Sequence, residues 1–160
     1  NQLAPDGDWS VWLFLAGRGS GKTRSGAEWV RECVTLKKAG RVALVAPTAA
    51  DARDVMVEGP AGILATSPPW DRPDYEPPKQ DPAWCDELAS WRCEDAWSNL
   101  MRCLRLGRDP RCLVTTTPKP VKLLREILSD PGTRVTRGNT YQNRANLAPT
   151  FFRRVVDRLE

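Results

Sequence analysis

The chain contains no histidine. That excludes a Ser-His-Asp triad, a histidine general base and any His-ligated zinc. Its five cysteines, Cys33, Cys85, Cys93, Cys103 and Cys112, are odd in number and form no Cys-x-x-Cys pair, so they read as reduced thiols in a cytosolic core. The longest apolar run, Val11 to Ala16, is far too short to cross a bilayer. No secretory signal precedes it and the first residue is not Met, which reads as a fragment or a processed piece. Chemistry here must run on Asp, Glu, Lys, Arg, Ser or Thr. The excess of 24 basic over 20 acidic residues is mild and interleaved, which permits a nucleic-acid partner without demanding one.

What is present is enough for one domain: 160 residues, 41% apolar and 28% charged. Val11 to Leu15 predicts a buried strand, and Lys22 to Ala39 a helix stopped by Gly40. Arg41 to Ala46 predicts a second strand ended by Pro47, and residues 50 to 57 a short helix. Seven prolines between Pro60 and Pro82 predict an irregular segment over 60–82. A strand at Ala83 to Cys85 leads to a helix carrying Trp97, Leu100, Met101 and Leu104. Arg111 to Thr116 predicts a further strand, Val121 to Leu128 a helix, and Thr133 to Arg137 a last strand. Phe151, Phe152, Val155, Val156 and Leu159 mark an amphipathic terminal helix, opposed by Arg153, Arg154 and Arg158. Strands alternating with helices imply a three-layer α/β fold with a mainly parallel sheet, in which ligands sit beyond the carboxyl ends of the strands.

Three motifs fall at such ends. Ala16-Gly17-Arg18-Gly19-Ser20-Gly21-Lys22-Thr23 fits the phosphate-loop (Walker A) pattern, with Ala at the usual first Gly. Gly19 and Gly21 let the backbone curl so that N–H groups face phosphate oxygens, and the following helix adds its positive end. Lys22 suits the β- and γ-phosphates of ATP, and the Thr23 hydroxyl suits Mg²⁺. From average residue usage a chance match in this length is on the order of one in a hundred. Arg18 either touches the γ-phosphate or is a solvated loop arginine.

The second motif is Ala83-Trp84-Cys85-Asp86-Glu87, apolar residues leading into an acid pair, as in a Walker B strand. Asp86 suits Mg²⁺ at the strand end, and Glu87 suits a general base on the attacking water. An acid pair alone also commonly opens a helix; its place on a strand after a phosphate loop favours a hydrolytic ATPase over a small-molecule kinase. The third is Leu113-Val114-Thr115-Thr116-Thr117-Pro118. Its hydroxyls could register loss of a γ-phosphate, although β-branched residues also simply suit strands. Trp9 and Trp12 could contact adenine or equally be core.

In this order, GRGSGKTRSGAEWV, RVALVAPTAADARDVMVEG, AWCDELASW, TTTPKP and TYQNRANLAP resemble the N-terminal ATPase domain of phage-type terminase large subunits, the DNA-packaging motors of phages, prophages and gene transfer agents. The resemblance implies an additional-strand ATPase fold over 1–160. It implies Mg²⁺-dependent ATP hydrolysis driving double-stranded DNA into a procapsid, in the host cytoplasm and without a membrane. Its partners would be the portal protein and the terminase small subunit, with a homo-oligomeric ring at the portal and a monomer alone. Lys22 and Thr23 match the phosphate-loop pair, Asp86 and Glu87 the metal and base positions, Arg18 the loop arginine and Thr115 to Thr117 the coupling motif. Pro47-Thr48 resembles a segment lying close to nucleic acid in related helicases.

Two features depart from that family. After Pro118 the acidic residues Glu126, Asp130, Asp157 and Glu160 show no nuclease arrangement, so the nuclease domain reads as absent. The stretch before the Asp-Glu motif is also short, with Tyr75 to Lys79 running almost directly into Gln80 to Ala83. It lacks the arginine that acts on a neighbour's ATP. Either the segment is deleted or a mobile loop is missing from the sequence; the second is favoured, since a loop awaiting a neighbour stays disordered alone. The rival readings are a helicase-like DNA-dependent ATPase and a non-catalytic nucleotide- or DNA-docking module.

Overall fold

A computed structural model describes residues 2–36, 40–70, 82–93, 95–104, 110–141 and 147–151. The uninterrupted apolar run VWLFLA forms β1 (Val11–Ala16), buried on both faces, as a central strand of a parallel sheet must be. It is followed by α1 (Lys22–Thr35), β2 (Ala43–Val45), α2 (Ala49–Asp51), α3 (Ile63–Thr66) and β3 (Ala83–Asp86). Then come α4 (Asp95–Cys103), β4 (Cys112–Thr116), α5 (Lys122–Ser129), β5 (Thr133–Gly138) and the single turn α6 (Pro149–Phe151).

The five strands form one sheet in the order β2-β3-β4-β1-β5, and every pairing is parallel. β4 is thus inserted between β1 and β3. Alternation along the strands splits the core in two. Trp12, Phe14, Trp84 and Leu113 pack with Ala27, Val30 and Cys33 of α1 on one face. Leu13, Leu15, Cys85 and Val114 pack with Leu100 of α4 and with Leu124 and Ile127 of α5 on the other. Helices therefore cover both faces. The register aligns Leu15 with Thr116, Asp86 with Thr115 and Ala16 with Gly138, so the carboxyl ends of β1, β3, β4 and β5 share one rim.

Several expectations change in detail. β2 is an edge strand paired only to β3, and it spans three residues rather than the whole of 41–46. α1 ends at Thr35, where the Leu36 N–H caps it on Glu32 O and Val34 O; residues 37–39 lie outside the described residues. The short helix near residue 50 begins at Ala49, with the Thr48 hydroxyl accepting from Asp51 N at 3.1 Å, and widens into a π-helical stretch over Ala52–Val57. Within the proline-rich stretch, α3 is regular structure where none was expected. It fits between Pro60 and Pro68, and the Thr66 and Ser67 hydroxyls both donate to Ile63 O. Residues 71–81 lie outside the described residues, and with them the shortened segment before the acid pair; so does the terminal helix beyond Phe151. Trp9 and Trp12 are core residues, 3% and 0% exposed, and so do not reach a nucleobase. Among the described residues no helix is long and apolar enough to cross a membrane.

Candidate active site

The loop between β1 and α1 is shaped by where its carbonyls are held. Ser20 Oγ donates to Gly17 O at 2.8 Å, and Gln2 Nε2 donates to Ser20 O at 2.7 Å. Thr140 Oγ1 donates to Arg18 O at 3.0 Å. Gly21 O accepts from the Ser25 N–H at 3.0 Å. A carbonyl held in this way fixes the direction of the N–H on the other side of its peptide. Gly19 and Gly21 sit at φ 71° and 89°, the left-handed region where a side chain is strained. Gly21 caps α1 without any side-chain hydrogen bond of its own, and the Gln2 side chain stands beside it, accepting from Ser25 Oγ at 3.3 Å.

Lys22 lies at that end and is 7% exposed. Its Nζ donates to Ala16 O at 2.7 Å, to Gly17 O at 3.1 Å and to Thr117 Oγ1 at 3.2 Å, and lies 3.6 Å from Glu87 Oε1. Burial pulls the Lys22 ammonium below the ordinary lysine value, while the nearby carboxylates of Glu87 and Asp86 oppose that shift.

The acid pair ends β3. Asp86 Oδ1 accepts from Thr115 Oγ1 at 2.7 Å, and Trp84 Nε1 donates to that same hydroxyl at 2.8 Å. The indole takes one lone pair of the hydroxyl, whose proton has Asp86 as its nearer acceptor and Cys85 O at 3.3 Å as the longer one. Burial pushes the Asp86 carboxyl above the ordinary carboxylate range, partly offset by the Thr115 hydrogen bond. Glu87 is the sole non-glycine residue with positive φ among the described residues, at 45°. Trp91 Nε1 holds Asp86 O at 3.0 Å, fixing the peptide that precedes this kink. The kink carries the Glu87 side chain to Thr117, whose Oγ1 donates to Oε1 at 3.1 Å and whose N–H donates to Oε2 at 3.4 Å. A strained non-glycine residue next to a buried acid is the kind of outlier that gathers at functional sites.

These groups border an open cleft of about 350 Å³ at the rim of the sheet, lined by Arg18, Thr23, Asp86, Glu87 and Thr117. Of the anticipated residues these five line the cleft, with Arg18 exposed; Lys22 is joined to it through Thr117 and Glu87, and the remaining loop residues, Thr115 and Thr116 are not part of its lining. Pro47 also lines it. Within the triplet Thr117 lines the cleft, whereas Thr115, fully buried, bonds to Asp86 and Thr116 turns elsewhere. Thr116 is also fully buried, and its Oγ1 accepts from Ala89 N at 3.1 Å and so braces the turn after Glu87 rather than the cleft.

Sequence reading passed over Gln2, Trp91 and Thr140, which hold the backbone of the two motifs. It also missed Lys119, which lines the cleft and donates to Ser90 Oγ at 2.7 Å. Gln2 lies upstream of any motif and carried no signal. Thr140 stands within TYQNRANLAP, so the resemblance marked its neighbourhood but not its contact.

No curated protein sequence matches the chain. Residues 13–90, just under half of it, match the family described as terminase large subunit, T4likevirus-type, N-terminal. The matched stretch holds the loop, Lys22, Thr23 and the Asp86-Glu87 pair. Over residues 13–90 the chain is similar to the N-terminal region of terminase large subunits.

Proposed function

We propose that the chain is the ATPase motor part of a phage or prophage-like terminase large subunit, which hydrolyses ATP with Mg²⁺ to drive double-stranded DNA into a procapsid. The observation that carries this reading is the meeting of Lys22, Glu87 and Thr117 over the loop, with Lys22 Nζ 3.6 Å from Glu87 Oε1. The insertion of β4 between β1 and β3 supports the additional-strand type of phosphate-loop ATPase.

In this account the loop amides of Gly17, Arg18, Gly19, Ser20 and Gly21 and the Lys22 ammonium bind the β- and γ-phosphates, and exposed Arg18 reaches the γ-phosphate from the cleft wall. Glu87 takes a proton from the attacking water as its oxygen bonds to the γ-phosphorus and the bridge to the β-phosphate breaks. Thr117 orients the Glu87 carboxylate and reports the step to the segment after β4, where Thr115 and Thr116 tie that strand to β3 and its following turn.

The donor set fits Mg²⁺. Among the described residues no three His, Cys, Asp or Glu side chains form a metal-binding group, and magnesium beside a nucleotide needs only one or two protein oxygens plus phosphates and water. Thr23 and Asp86 line the same cleft and would supply them. When bound, the ion would neutralise developing phosphate charge.

The portal protein, the small subunit, a ring of copies at the capsid and a transient place in the host cytoplasm belong to the same proposal. A titration with ATP and Mg²⁺ followed by a phosphate-release assay tests it. Binding without release would make the chain a docking module, and strand separation would favour a helicase.

A further inference from the structure

The loop is gripped from its outer side by chain that follows β5. Thr140 is 7% exposed, and its hydroxyl donates to Arg18 O at 3.0 Å. A Cβ on Gly17 would stand 2.5 Å from that same oxygen, and a Cβ on Gly19 would stand 3.0 Å from both methyl carbons of Leu147. Thr140 and Leu147 thus lie close to Gly17 and Gly19, the two chain neighbours of Arg18.

Sheet register explains the meeting. β5 runs parallel to β1 with Gly138 opposite Ala16, so two residues further on each chain Thr140 arrives beside Arg18. The consequence lies in peptide planarity. The carbonyl of Arg18 and the N–H of Gly19 share one rigid plane and point in opposite directions. Holding the carbonyl on Thr140 therefore sets where that N–H faces. Gly19, at φ 71°, has no side chain of its own to restrain it.

We propose that Thr140 is a positioning residue for the phosphate loop: its hydroxyl sets the Arg18–Gly19 peptide and, through it, the affinity of the loop for a nucleoside triphosphate. The proposal rests on the ATP-binding reading above and extends it beyond the residues matched to the terminase family. Geometry at the phosphates then depends on the tail of β5 as well as on the loop's own sequence.

Thr140→Val keeps the shape and removes the donor, whereas Thr140→Ser keeps the donor. The test compares both with the unaltered chain by the carbonyl ¹³C shift of Arg18 and the amide ¹⁵N shift of Gly19, without nucleotide, and then by titration with ATP and Mg²⁺. Thr140→Val should move both shifts and weaken ATP binding roughly three- to tenfold, the worth of one hydrogen bond, with turnover at saturation largely kept. Thr140→Ser should restore shifts and affinity together. Should the Val variant not fold, Thr140→Ala makes the same comparison with less volume. Unmoved shifts in the Val or Ala variant, or a Ser variant that behaves like Val, would overturn the proposal. An unaltered chain that binds no ATP would sink the ATPase reading, while the two shifts would still decide whether Thr140 sets the loop.

Discussion

Lys22 Nζ and Glu87 Oε1 stand 3.6 Å apart, and the Thr117 hydroxyl joins them, accepting from the first at 3.2 Å and donating to the second at 3.1 Å. One short side chain from the end of β4 thereby links the ammonium of the loop to the carboxylate after β3. A hydroxyl can do this because it accepts and donates at once; valine has the same shape and does neither.

Thr117 and Thr116 should consequently fail in different ways. Thr117→Val should retain ATP affinity while turnover falls roughly 10- to 100-fold, the worth of a hydrogen bond to a charged group. Thr116→Val leaves the Ala89 N–H without its acceptor, so it should lower stability by about 1–3 kcal/mol with a smaller effect on turnover. In the full-length motor both changes should leave ATP bound but little DNA packaged. Thermal melts and steady-state phosphate release separate the two, and equal kinetics in both variants would remove Thr117 from its linking role.

Asp86 should make stability fall as pH rises. Burial raises its carboxyl above the ordinary carboxylate value, against the pull of the Thr115 hydrogen bond, so the protonated form is the one the fold favours. The stability it contributes is full below the ordinary carboxylate value and is lost as pH climbs through the raised one. Asp86→Asn, neutral throughout, should therefore melt higher than the unaltered chain at neutral pH in chelator, and this advantage should vanish in acid. A variant less stable at neutral pH would contradict the burial argument. The same variant should lose Mg²⁺-dependent turnover.

Gly26 has a packing role. It lies on the buried face of α1, and a Cβ there would drive into the Trp84 ring. Trp84 is fully buried and bonded to Thr115, so it has no room to yield. Gly26→Ala should cost about 1–3 kcal/mol despite alanine's better helix propensity, as overpacked cores do. Chemical denaturation measures it; a gain in stability would show that α1 can shift away from the sheet.

Much of this was legible in residue order. The apolar run from Val11 to Leu15 read as a buried strand, and Gly19-Ser20-Gly21-Lys22 after it read as a candidate phosphate loop. The acid pair on β3 and the hydroxyls on β4 were legible because each motif sat at a strand's carboxyl end. The Glu87 kink was not, since nothing local signals a glutamate with positive φ; tertiary hydrogen bonds from Trp91 and Thr117 impose it. Gln2 and Thr140 escaped notice for the same reason. They reach the loop through chain entry and sheet register, which become visible only once the strands are paired. α3 was hidden because proline density argues against helix, yet a run between two prolines can still make one turn.

The proposed ATPase stands on Glu87 as the base and Lys22 as a phosphate ligand in one site. Phosphate release and ATP affinity measured side by side on Glu87→Gln and Lys22→Ala test it most directly. Glu87→Gln should bind ATP near the unaltered level while hydrolysis falls by roughly a hundredfold or more, and Lys22→Ala should weaken binding itself. Comparable loss of affinity in both variants, or hydrolysis that survives Glu87→Gln, would contradict it.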